Sequence, residues 1–91
     1  MDYSTDLLTR IQELASKLTP VTEISVLLGL PTNTLKDDIA TTGHPARQAF
    51  YKGMAEQALK IRERDLELAE AGSPSAADNL HDYLKHMLDD L

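Results

Sequence analysis

Thr32, Asn33, Thr34 and Lys36 fall within five consecutive positions, and together they could read a nucleic acid. An asparagine amide offers a donor and an acceptor side by side, which matches the edge of adenine in the major groove. Threonine hydroxyls and methyls reach phosphates or thymine methyls, and a lysine neutralises a phosphate. Two carboxylates, Asp37 and Asp38, follow at once and would repel the same phosphates. Arg47 and Lys52, a little further on, could supply additional positive charge.

A second cluster, Asp78, His81, Asp82, Lys85, His86 and Asp89, crowds the C-terminal stretch. Asp82 and His86 are four residues apart, the spacing that puts two ligands on one face of a helix. His81 and His86 do not share a face, so the pattern reads as ordinary i,i+4 charge pairing with no resident metal. No nucleophile, base and orienting group can be assembled. The four glycines are isolated, which excludes a glycine-rich phosphate loop, and without cysteine there is neither a disulfide framework nor a thiolate site. These residues therefore predict a binding protein with no catalytic site and no cofactor.

The elements that must carry the first cluster read as all-α, since no segment sustains a two-residue alternation. A first helix is expected from about Thr5 to Leu18, capped by Ser4 or Thr5. Leu7, Leu8, Ile11, Leu14, Ala15 and Leu18 form its apolar stripe. Thr19-Pro20 has the form of a cap followed by a proline at the first helical position. The second helix then runs to Gly29, with Ile24, Leu27 and Leu28 facing inward. A third helix, capped by Thr32, extends to about Ala40 with Leu35 and Ile39 inward. Thr41-Thr42-Gly43-His44 breaks it, and His44 reads as a surface loop residue.

The stretch Val21–Ala40 has the spacing of a helix-turn-helix. Ser25 is the small residue where two helices cross and Gly29 is the turn. Leu28 and Leu30 flank the glycine, and Leu35 and Ile39 pack the second helix on the first. Such a motif presents its second helix to the major groove.

Pro45 opens a long fourth helix, to about Ala71, with two apolar stripes. One contains Phe50, Met54, Ala58, Ile61 and Leu68; the other contains Tyr51, Ala55, Leu59, Leu66 and Ala69. One stripe suffices for a core. The surplus predicts self-association, with Phe50, Tyr51, Met54, Leu59 and Leu66 as the contact residues. Gly72 ends this helix and Ser73-Pro74 opens a fifth, to about Asp90, with Leu80, Leu84, Met87 and Leu91 on its apolar face. The short turn makes the last two helices an antiparallel hairpin. The expected organisation is one compact domain made of a helix-turn-helix unit, residues 1–44, and an assembly hairpin, residues 45–91.

The tract from about Thr19 to Met87 resembles the small terminase subunits of tailed phages and related phage-derived helix-turn-helix proteins. The resemblance rests on TPVTEISVLLGLPTNTLKDDI, on AFYKGMAEQALKIRERDLELAEAG and on AGSPSAADNLHDYLKHM, in that order. It implies recognition of viral double-stranded DNA and regulation of the ATP-driven large terminase subunit that packages it. It also implies assembly through the helices after the motif. By matched position, Thr32, Asn33, Thr34 and Lys36 would contact DNA, and the helix from Phe50 to Ala69 would assemble.

Charge qualifies this picture. The net charge is −6, and residues 19–45 carry −2 of it. Non-specific DNA affinity comes from Lys and Arg, so a lone chain should bind DNA weakly and a homo-oligomer better. The alternative is a protein-interaction module whose acidic face docks a basic partner. No apolar run is long enough to span a bilayer, and the N-terminus lacks the basic and apolar regions of a secretion signal, so a cytoplasmic location is expected.

Overall fold

The computed structural model describes all residues, 1–91, and is all-α, with five helices and no strand. The helices are α1 (Thr5–Ser16), α2 (Val21–Leu28), α3 (Thr32–Ala40), α4 (Pro45–Glu70) and α5 (Pro74–Asp89). No helix is long and apolar enough to cross a membrane.

The chain divides into two compact units, Met1–Gln57 and Ala58–Leu91, where one domain with an internal boundary at 44/45 was expected. The boundary falls inside α4 because its first turns belong to the same core as α1–α3. Ile11, Ile24, Leu35, Ile39, Ala46 and Ala49 form that core, with Tyr3, Leu8, Leu14, Val21, Leu28, Leu30 and Phe50 packed around it. Each fully buried isoleucine contributes about 2 kcal/mol by leaving water. Helix α4 approaches through its small residues, Ala46, Ala49 and Gly53, which are its buried positions. A Cβ placed on Gly53 would collide with the carbonyl oxygen of Gln12 and lie 2.9 Å from the Ala15 Cβ, so only glycine permits this approach of α4 to α1.

The caps explain the helix boundaries. Ser4 caps α1, its Oγ accepting from the Leu7 N–H at 3.1 Å. The helix ends before Leu18, which takes a left-handed φ of 61°. Leu18 N–H donates to Ala15 O and Thr19 N–H to Leu14 O, both at 3.0–3.1 Å. These bonds satisfy two of the last free carbonyls, in a turn that usually holds glycine. Leu18 is thus turned outward, 59% exposed, instead of extending the buried stripe. Thr19 does not cap α2: Pro20 holds the cap position with extended backbone and no side-chain bond. Likewise Thr32 is the first residue of α3 and Pro31 stands at its cap. Leu27, expected inside, is 62% exposed, because the eight-residue α2 is apolar on more faces than α1 and α3 can cover.

In the second unit, α4 ends at a left-handed Gly72, with Ser73 N–H donating to Leu68 O at 2.9 Å and Gly72 N–H to Ala69 O at 3.0 Å. Ser73 then caps α5 through Ala76 N–H, at 3.3 Å. Tyr83 on α5 donates its hydroxyl to Asp65 on α4 at 2.7 Å, which raises the Tyr83 ionisation above its ordinary range. Ala76 is the one fully buried residue of this unit. Among the expected assembly residues, Phe50 is half-buried on the first core, and Tyr51, Met54, Leu59 and Leu66 are exposed.

Candidate nucleic-acid interface

The turn between α2 and α3 is built on Gly29, at φ 69°. Its N–H donates to Val26 O at 3.3 Å, and the Leu30 N–H donates to Ser25 O at 2.8 Å. Ser25 is fully buried at the crossing, and its hydroxyl donates to Thr22 O at 2.6 Å. That uses its one proton, so the Thr32 hydroxyl, 2.6 Å away, donates to Ser25 Oγ. The start of α3 is thereby tied to the middle of α2, and the Thr32 hydroxyl proton is committed inward.

Beyond Thr32, α3 presents Asn33 and Lys36 to solvent, with Thr34 half-buried and Asp37 exposed. Asp38 behaves differently from its neighbour. Its Oδ2 accepts the Tyr3 hydroxyl at 2.6 Å, its Oδ1 lies 3.7 Å from His44 Nε2, and the N-terminal ammonium is 3.9 Å away. Burial, then the hydrogen bond to Asp38, then the Asp38 charge raise the Tyr3 ionisation well above its ordinary value. The rings of Tyr3 and His44 meet edge to face, with centroids 5.6 Å apart.

His44 is not a free loop residue. It is half-buried, and its Nδ1 accepts the Ala46 N–H at 3.0 Å, capping the first turn of α4. Arg47, one turn on, donates from Nη1 to the Ile39 carbonyl at 2.8 Å and stacks its guanidinium 4.5 Å from the centre of the Tyr51 ring. A cation on the terminal carbonyls of α3 is favourable, because those groups are unpaired and carry the negative end of the helix dipole.

Asn33 and Lys36 therefore lie exposed together on α3, and Lys52 is exposed on α4. Thr32 and Arg47 already hold structural partners. His44, read from the sequence only as a surface loop residue, and Tyr3, not singled out at all, are the two partners the pattern missed. The signal for His44 was present, since a polar residue directly before a helix-opening proline stands at a cap position. Nothing in the pattern marked Tyr3.

The outer face of α2 exposes Val26, at 73%, and Leu27, at 62%. A shallow concavity of about 260 Å³ is lined by Leu27 together with Arg10, Glu13, Leu14 and Lys17 of α1 and its C-terminal end. No group of three His, Asp or Glu side chains is arranged to hold a metal. No protein-family model, no curated protein and no solved structure matches this chain.

Proposed function

We propose that the chain is a non-catalytic helix-turn-helix protein that binds duplex DNA through α3 and works as an oligomer, in the manner of a phage small terminase subunit with a large terminase as its partner. The observation that carries this reading is the fate of Asp38. One of the two carboxylates that would repel phosphates is folded back onto Tyr3 and His44, while Asn33 and Lys36 remain exposed beside the other, Asp37. Asn33 supplies base contact, and Lys36 and Lys52 supply phosphate contact. Arg47 serves by holding the end of α3 in place.

The test is titration of full-length protein against mixed-sequence duplex DNA at about 50 and 200 mM salt. Binding should weaken with salt, and Lys36→Glu should lower affinity about tenfold or more across sequences without changing helicity. No binding at 50 mM salt and high protein concentration rejects the reading.

A second reading, a protein-interaction module, is favoured by Val26 and Leu27, two large aliphatic side chains left in water on the outer face of α2. Here Val26→Ser with Leu27→Ser would abolish the partner contact and leave any DNA affinity unchanged.

A further inference from the structure

Asp37 and Asp38 are neighbours in the chain with opposite fates. The ion pairs of the molecule are both made by Asp38, which also accepts the Tyr3 hydroxyl. The Asp37 backbone carbonyl accepts the Thr41 hydroxyl at 2.8 Å, while its carboxylate is exposed and accepts from no side chain, Lys36 included. The two aspartates differ because α3 buries Leu35 and Ile39, which turns Asp38 toward the core edge and Asp37 away from it. Residues three and four apart share a helix face, so Asn33, Lys36 and Asp37 form one exposed group, with Asn33 and Asp37 one turn apart.

A bare carboxylate is unfavourable on a surface that only grips phosphates. The major groove offers it one good position. Guanine presents two acceptors there, thymine an acceptor and a methyl, and adenine a donor beside an acceptor. Cytosine presents an amino donor with no acceptor of its own. An amide suits adenine, where donor and acceptor stand side by side, and a carboxylate suits cytosine.

We propose that Asp37 selects cytosine, its carboxylate accepting the exocyclic amino proton, while Asn33 pairs with adenine in the same groove. The proposal rests on the DNA half of the reading above and goes beyond it by naming the bases read. With α3 lying along the groove, four residues advance about 6 Å, against about 3.4 Å per base pair, so the C·G pair falls about two steps from the A·T pair. At other bases the carboxylate meets acceptors or phosphates and is repelled. Asp37 therefore acts as much by rejecting wrong sites as by holding the right one. That suits a chain of net charge −6, whose free cations beside this face are Lys36 and Lys52: weak grip on any DNA leaves base contacts to decide where it stays.

Selection by the full chain from duplexes with a randomised central window, at about 50 mM salt, tests the proposal. The wild type should enrich a C·G pair about two steps from an A·T pair, and exchanging that C·G for T·A should lower affinity about tenfold. In Asp37→Ala the C·G preference should disappear, the A·T preference should remain, and affinity for unselected duplex should rise. Asp37→Asn should move the preference at that position from C·G toward A·T, a change that loss of structure does not produce. Circular dichroism should show both variants as helical as the wild type, since the carboxylate holds no partner in the fold. An unchanged base preference in Asp37→Ala overturns the cytosine contact and leaves DNA binding by α3 standing. Binding by the wild type without any C·G preference does the same. Failure of the wild type and both variants to bind any duplex overturns this proposal and the DNA reading together.

Discussion

Gly53 of α4 backs directly onto the main-chain carbonyl of Gln12 in α1, so closely that even a methyl group on its α-carbon would overlap that oxygen. Beside it the Gln12 amide donates to the Glu56 carboxylate at 2.6 Å. The two helices therefore meet backbone to backbone.

Gly53→Ala should consequently go against the usual trend. In an open helix interior the substitution stabilises by about 0.5–1 kcal/mol. Here it should destabilise by about 2 kcal/mol or more, because α4 must move away from α1. Urea unfolding of the two proteins, compared by midpoint at equal slope, decides the sign.

Leu18 and Gly29 occupy equivalent left-handed turns, at φ 61° and 69°. For a side chain with a Cβ this conformation costs about 1–2 kcal/mol. Leu18→Gly should therefore raise stability, by up to about 1 kcal/mol after the greater freedom of the unfolded chain is subtracted. Gly29→Ala, with nothing within 4 Å to clash against, should lower it by about 1 kcal/mol from backbone strain alone. Opposite shifts in the unfolding midpoint are the expected result.

The Tyr3–Asp38 bond predicts a pH dependence. The Tyr3 hydroxyl loses its proton less readily in the folded chain than in the unfolded one, where its ordinary value is 10.0. Its contribution is fully present below pH 10. Above that, the unfolded chain gains stability by ionising first, so the contribution falls as pH rises. Tyr3→Phe should cost about 1–2 kcal/mol at neutral pH, since Asp38 loses its donor, and should flatten the alkaline decline. Stability measured from pH 8 to 11, with tyrosinate absorbance as the site readout, checks both.

The sequence made the helices legible because their stop signals are strong: Gly29 and Gly72 end their helices, and Pro45 and Pro74 open theirs. Ile11, Ile24, Leu35 and Ile39 were readable as core from spacing. What spacing could not reveal was which face of α4 would be used. The large residues Tyr51 and Met54 dominate any apolar count, yet the contact is made by Ala46, Ala49 and Gly53, whose value lies in what they lack. In α2, apolar residues on several faces left Leu27 undecided. Asp38 was read by its charge alone, because its partner Tyr3 stands 35 residues away in the chain.

That separation has a kinetic consequence. The loop it closes contains α1, α2 and most of α3, so the contact is non-local and costly in chain entropy before the helices dock. Helices of this length form in under a microsecond, far sooner than such a loop is organised. The Tyr3–Asp38 bond therefore belongs, with the Gln12–Glu56 bond whose partners stand 44 residues apart, to the non-local contacts expected to form after the helices. In a variant carrying Tyr51→Phe and Tyr83→Phe, a kinetic trace following the one remaining tyrosine, Tyr3, should lag one following helicity, so this pair reports when the first unit's distant segments have met.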